Sequence, residues 1–384
     1  MKTTFRTLLV GLLLVATSIA YAQQVNTLYF LENAPMRHLI NPAFQPVSNV
    51  YVTLPVIGYS SAWVGNNAFT MKDFIFTDKN GNTITPYHPN ANPDWLAKKP
   101  KNTLIDADAY INLFGLGVRI KDNGYFHLNI SEHIIAGAAT GTNIFGINQL
   151  DSGLIGPFNL GANALVYTDF ALGYSHKIND QWTVGGKFKF LVGQAYVNAN
   201  LDNISLAHSM EELHAYGNGN IVAAAPLQWQ NLPTDVTDLG NIDTEALAGT
   251  DYRDWITPAG LGAAFDLGAT YKPHEQVQIS ASVTDLGFIR WTNLAKGNLS
   301  IDTTFTGVEL NYGDYVYEGE LNQDSLTAHL TNTLNGYADA LNISDIDNNA
   351  KPLTRMLTAN LHVGVDANFW DNRVGVGVHS RTRF

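Results

Sequence analysis

The stretch GLGAAFDLGATYKPHEQVQISASVTDLGFIRW, residues Gly260 to Trp291, reads as two β-strands folded about a turn. From Leu261 to Lys272 the odd positions are Leu261, Ala263, Phe265, Leu267, Ala269 and Tyr271, and the even ones are Gly262, Ala264, Asp266, Gly268, Thr270 and Lys272. Side chains alternate between the two faces of a strand, so one face here is apolar and the other small or polar. After Pro273-His274-Glu275 the period resumes, with Val277, Ile279, Ala281 and Val283 opposed to Gln276, Gln278, Ser280 and Ser282. The unit is an amphipathic hairpin.

The same period recurs along the chain. Trp182, Val184, Gly186, Phe188 and Phe190 oppose Thr183, Gly185, Lys187 and Lys189, and Leu361, Val363, Val365, Ala367 and Phe369 oppose His362, Gly364, Asp366 and Asn368. Nine strands are predicted: 47–56, 107–119, 124–133, 163–177, 181–197, 260–272, 276–290, 357–370 and 373–384. Many exceed the usual five or six residues of a globular strand and suit a tilted membrane crossing of about 9 to 11. Short links, Lys121-Asp122-Asn123-Gly124, Asn179-Asp180, Pro273-His274-Glu275 and Asp371-Asn372, alternate with long connections at 57–106, 134–162, 198–259 and 291–356. An up-and-down transmembrane barrel has this parity, with short periplasmic turns and long outer loops. A soluble β-sandwich also alternates along its strands, but its Greek-key crossings impose no such parity. The expected fold is therefore all-β: an antiparallel up-and-down transmembrane β-barrel over 47–384.

The N-terminus sets the compartment. Lys2 and Arg6 precede an apolar run from Leu8 to Ala16, and Ala20-Tyr21-Ala22 offers small residues before Gln23, so 1–22 reads as a signal peptide. Residues 23–46 then form an N-terminal periplasmic or plug segment. No stretch supplies the roughly 18 unbroken apolar residues of a helical span. Charged residues are 15% of the chain and hydrophobic ones 45%, with Gly at 33, Tyr at 17 and Phe at 18. With no cysteine, disulfides, thiolate metal sites and Cys nucleophiles are excluded. A net charge of −12 argues against nucleic acid as a partner. The long connections are acidic: residues 201–260 carry nine carboxylates against Arg253, and residues 301–350 carry nine with no Lys or Arg. They read as solvated loops, or as a vestibule that attracts cations.

No P-loop, HExxH, GxSxG or dinucleotide fingerprint occurs, so no enzyme activity and no cofactor are expected. Asp345-Ile-Asp347-Asn348-Asn349 starts like a calcium loop, but Ala350 replaces the required Gly and Met356 the bidentate Glu. His127 and His133 share a strand face from which Glu132 points away, so they do not form a metal set with it.

Asn41-Pro42-Ala43-Phe44, just ahead of the first strand, resembles the Asn-Pro-Ala motif of FadL-like outer-membrane barrels. Together with the Gly260–Trp291 hairpin and the final SRTRF, it is more similar to Bacteroidota barrels of the PorV, PorP and SprF kind, and most of all to a related family of unknown function. The resemblance implies an outer-membrane barrel of 12 to 14 strands without enzymatic activity. FadL relatives pass hydrophobic compounds, whereas PorV, PorP and SprF relatives serve type IX secretion or gliding. Asn41, Pro42, Ala43 and Phe44 are read as structural, where the chain leads into the barrel.

With the apolar face toward lipid, Lys187, Lys189, Asp266, Thr270, His362, Asp366 and Arg381 are the candidate lumen residues. Trp182, Tyr174, Tyr271, Trp291, Phe369 and Trp370 are expected in interfacial girdles. Two functions follow: a porin-like or hydrophobic-solute channel, or a non-conducting scaffold for envelope or secretion proteins. A soluble exported binding protein is a third. Strand nine must run outward if strand one does, leaving Phe384 on the outer rim. Single-chain bacterial barrels have even strand numbers, so the natural chain is expected to run on for at least one further strand.

Overall fold

The computed structural model describes residues 26–31, 33–55, 58–73, 76–77, 81, 83–84, 93–149, 153–208, 213–225, 258–305, 316–317, 320–321, 341–370 and 374–384. The segment read as a signal peptide lies outside these residues, as do most of the acidic connections and the Asp371-Asn372 link. Helix α1 (Asn26–Phe30) and a 3-10 turn (Pro35–Leu39) come first. The strands in chain order are β1 (Val50–Thr53), β2 (Ser60–Asn66), β3 (Phe76–Thr77), β4 (Thr83–Ile84), β5 (Asn102–Ile120), β6 (Gly124–Gly141), β7 (Gly153–Lys177), β8 (Trp182–His208), β9 (Leu213–Ala224), β10 (Gly260–His274), β11 (Val277–Trp291), β12 (Leu294–Phe305), β13 (Val316–Tyr317), β14 (Glu320–Leu321), β15 (Leu341–Asp347), β16 (Leu353–Met356), β17 (Asn360–Phe369) and β18 (Val374–Arg383).

Fourteen of these segments form one antiparallel sheet that curls into an incomplete barrel. Its path is a meander in chain order, β1-β5-β6-β7-β8-β10-β11-β17-β18, so nine strands follow one another as the alternation predicts. β2 prolongs β1 along the same neighbour, β5. β16 prolongs β17 along β11: Phe288 pairs with Met356 and Thr284 with Asn360 in one register. The meander itself has nine members, within a sheet of 14 strands. At its ends, neither the β1/β2 edge nor the β18 edge has a further strand partner among the described residues.

The expected long connections prove to be partly strand. β2 and the first residues of β5 occupy both ends of 57–106, β6 and β7 extend into 134–162, and β8 runs to His208, where 198–259 was expected to be loop. Beyond Gly193, β8 leaves β10, and from Tyr196 it pairs with β9, which pairs with β12, which pairs with β15. This second sheet region stands past the rim reached by β10 and has its own core of Phe158, Leu201, Ile204, Leu206, Ala215 and Leu299. These segments are polar on average because they stand clear of the apolar belt, and polarity made them look like loops. Pro273 and His274 likewise belong to β10, leaving Glu275-Gln276 as the turn.

Alternation sorts the faces. On the outer face the register lines up Leu172, Phe188, Phe265 and Leu286 across β7, β8, β10 and β11, all exposed. Toward the hairpin end Trp182 stacks on Tyr271 at 4.6 Å, and Tyr174, Phe369 and Trp370 are exposed nearby. Trp291 departs from the expected girdle: it is fully buried inside the barrel with Leu191, Tyr196 and Ile289. The cause is a β-bulge. Phe265 pairs with Leu286 and Leu267 with Val283, so Thr284 and Asp285 together oppose Asp266, and every later residue of β11 changes face. Asp285 takes φ +62°, a left-handed conformation that Asp tolerates better than most side chains.

Candidate functional site

The barrel interior is built in three layers. Nearest the hairpin turns lies the N-terminal segment, with Leu28, Tyr29, Met36, Ile40 and Phe44 packed on Tyr51 and Tyr125. At the far side is an apolar layer containing Tyr167, Leu191, Ile289, Trp291 and Leu357. Between them is a polar layer around a cavity of about 140 Å³.

Glycines on the inner face let the N-terminal segment come this close. A Cβ at Gly185 would lie 2.3 Å from the Pro42 carbonyl oxygen, and one at Gly268 would lie 2.0 Å from Asn41 Oδ1. Asn41 is buried and works in three directions. Its Nδ2 donates to the carbonyls of Ala269 and Ala281, both at 3.2 Å, and its Oδ1 accepts from the Ala43 N–H at 2.9 Å. The Asn41-Pro42-Ala43-Phe44 step thus docks against β8, β10 and β11 on the inner face of the sheet. Ser282 Oγ donates to the Ile40 carbonyl at 2.6 Å, Lys187 Nζ donates to the His38 carbonyl at 3.1 Å, and Tyr29 Oη shares a 2.8 Å bond with Ser280 Oγ. Each bond joins the plug to a strand far away in the chain.

His38 heads a hydrogen-bond chain. Lys187 Nζ lies 3.3 Å from His38 Nδ1, Tyr51 Oη lies 2.8 Å from His38 Nε2, and the same hydroxyl lies 3.4 Å from His127 Nδ1. A lysine can only donate, so His38 Nδ1 accepts and Nε2 carries the proton of a neutral ring. Burial, then the nearby His127 and Lys187, hold His38 protonation well below the usual imidazole range. A released His38 would take a proton near pH 6.5, whereas the docked one refuses it, so acid favours release. Hydrogen exchange corrected for intrinsic rate should therefore show less protection of residues 26–44 at pH 5 than at pH 7. Greater protection at pH 5 would refute this.

The polar layer gathers most of the candidate lumen residues. Asp266 is fully buried, with Lys189 Nζ at 3.0 Å and Lys187 Nζ at 3.6 Å. Its Oδ1 accepts the Asp285 N–H at 2.8 Å, and Asp285 Oδ1 accepts from Lys189 Nζ at 2.6 Å. Arg381 Nε donates to Asn360 Oδ1 at 2.9 Å, and Asn360 Nδ2 donates to Asp285 Oδ2 at 3.0 Å. His362 Nδ1 lies 3.2 Å from His379 Nε2. Asp366 Oδ1 stands apart, accepting from Tyr29 Oη at 3.2 Å against the plug, and Thr270 is buried nearer the turns.

Alternation alone did not point to Asp285, Asp169, His133 or the Arg383–Asp108 pair. His133 Nε2 lies 2.7 Å from Asp169 Oδ2, and Arg383 Nη2 lies 3.0 Å from Asp108 Oδ2 and carries its guanidinium over the Trp63 ring. Asp285 could have been found from the phase slip between Val283 and Leu286, the trace of the bulge. Glu132 does sit on the opposite face from His133, where Thr168 Oγ1 donates to it at 2.7 Å. Asp345 and Asp347 belong to β15.

A family model matches residues 42–384, from Pro42 in the plug to the end of β18. The chain belongs to DUF5723, a family of unknown function. The match takes in all eighteen strands found among the described residues of this DUF5723 chain, although the plug begins before it. No curated protein and no solved structure matches the chain.

Proposed function

We propose that this DUF5723 chain is a non-enzymatic β-barrel of the bacterial outer membrane, exported by its signal peptide and plugged rather than open. Its task is then that of an anchored scaffold, with the β9–β12–β15 region presented to other envelope or secretion proteins. The observation that carries this reading is the filled interior, where plug, ion-paired layer and apolar layer succeed one another along the axis. The channel reading would need the plug to leave. The sequence resemblance to PorV, PorP and SprF barrels fits the scaffold role.

Membrane embedding is supported by the outer belt. From Trp182 to Phe190 the apolar face of β8 covers nine residues, within the about 9 to 11 that a tilted strand needs to cross a bilayer. Exposing such a belt to water would be costly, whereas lipid covers it. Phe265→Arg should cost about 2–4 kcal/mol in lipid vesicles, because an arginine is placed within the hydrocarbon layer. On a water-facing sheet the same change would stay within about 0.5 kcal/mol. Equilibrium unfolding in vesicles separates the two. In planar bilayers the intact chain should insert and stay silent, and a steady open conductance would return the channel reading.

A further inference from the structure

Ion pairing in the polar layer leaves the Arg381 guanidinium without a carboxylate at ion-pair distance among the described residues. Each carboxylate beside the cavity has a cationic or imidazole partner: Asp108 has Arg383, Asp169 has His133, Asp285 has Lys189, and Asp266 has both lysines. Arg381 lines the same cavity; its hydrogen bond among the described residues goes from Nε to the neutral Asn360 amide, and no carboxylate there lies within ion-pair distance of it. A guanidinium carries five N–H donors in a rigid fork, and its two outer nitrogens suit a planar two-oxygen acceptor. The cavity reaches between the two free edges of the sheet, with Tyr59 and Ser61 on the β2 side facing Arg381 on β18. Its volume of about 140 Å³ is close to that of an engineered cavity of about 150 Å³ that binds benzene, so it holds a small organic molecule.

We propose that this cavity binds a small monocarboxylate, with Arg381 forking its two oxygens. With His133 protonated against Asp169, one negative charge balances the layer, which favours a carboxylate over a dianionic phosphate. Asn360 positions the guanidinium by tying Nε to the Asp285 anchor, leaving the outer nitrogens for the ligand. The site belongs to the folded interior, so it does not depend on whether the barrel conducts.

The test is calorimetric titration of the folded, detergent-solubilised chain with sodium acetate, against sodium chloride and sodium phosphate at equal ionic strength. Saturable acetate binding is expected, weakened at least tenfold in Arg381→Met. Arg381→Lys keeps the charge but not the fork, so it should bind several-fold more weakly than the parent, and it serves if the methionine variant does not fold. Faster gel migration before heating than after it reports folding of each variant. Absence of saturable acetate binding, equal binding by the folded variants, or a preference for phosphate would each overturn the proposal.

Discussion

Asp266→Ala should destabilise the barrel by about 3–5 kcal/mol, the usual cost of stripping a partner from a buried charge. Lys187 and Lys189 project from alternate positions of β8 into the same layer, and Asp266 is the carboxylate they share. Without it, Lys187 keeps its hydrogen bonds to His38 but has no ion pair among the described residues, and two ammonium groups face each other in a poorly solvated interior. The Asp285 backbone N–H also loses its acceptor, which loosens the bulge that turns Trp291 inward. The double variant Asp266→Asn with Lys187→Met should recover much of the loss. It keeps an oxygen for the Asp285 N–H and leaves the 2.6 Å Lys189–Asp285 pair balanced. Guanidinium unfolding of the refolded chain checks both, and a single alanine variant within 1 kcal/mol of the parent would contradict the buried pairing.

Gly185→Val should free the plug. The added Cβ meets the Pro42 carbonyl, its carbon and the Ala43 nitrogen, all backbone atoms that cannot rotate aside. Overpacking of this kind costs about 1–3 kcal/mol, equivalent to a roughly 5- to 150-fold rise in the population of the released segment. Hydrogen exchange over residues 26–44 should rise by that factor while the strands stay protected. Gly364→Val, aimed at the Tyr29 ring, should act in the same direction through a side chain that can shift, and therefore more weakly. Unchanged protection in Gly185→Val would mean that the segment is not held against β8. Conductance need not appear even when the plug leaves, because the Trp291 layer lies beyond it.

Much of the fold was legible because a strand's period is two and the barrel's outside differs in chemistry from its inside. The hairpin quoted at the outset folds as read, and the nine strands of the meander fall where alternation placed them. Of the candidate lumen residues, Lys187, Lys189, Asp266, Thr270 and His362 are buried, while Asp366 and Arg381 are partly so. Periodicity failed where strands leave the apolar belt. β9, β12 and β15 are polar enough to resemble loops, and their pairing is a matter of neighbours, not of composition. It failed again at Asp285, where one extra residue reverses the faces.

Local alternation and the turn residues between strands were enough for the all-β class, the meander order and the chemistry of the two faces, because each depends on nothing more distant in the chain. Tertiary structure alone decided which charges meet and what fills the lumen. Asp266 reaches Lys187 and Lys189 through the register of β8 with β10, and Asn41 reaches Ala269 and Ala281 across more than two hundred residues of chain. Such contacts follow from curvature, register and the space that glycines leave, none of which the period of a single strand records.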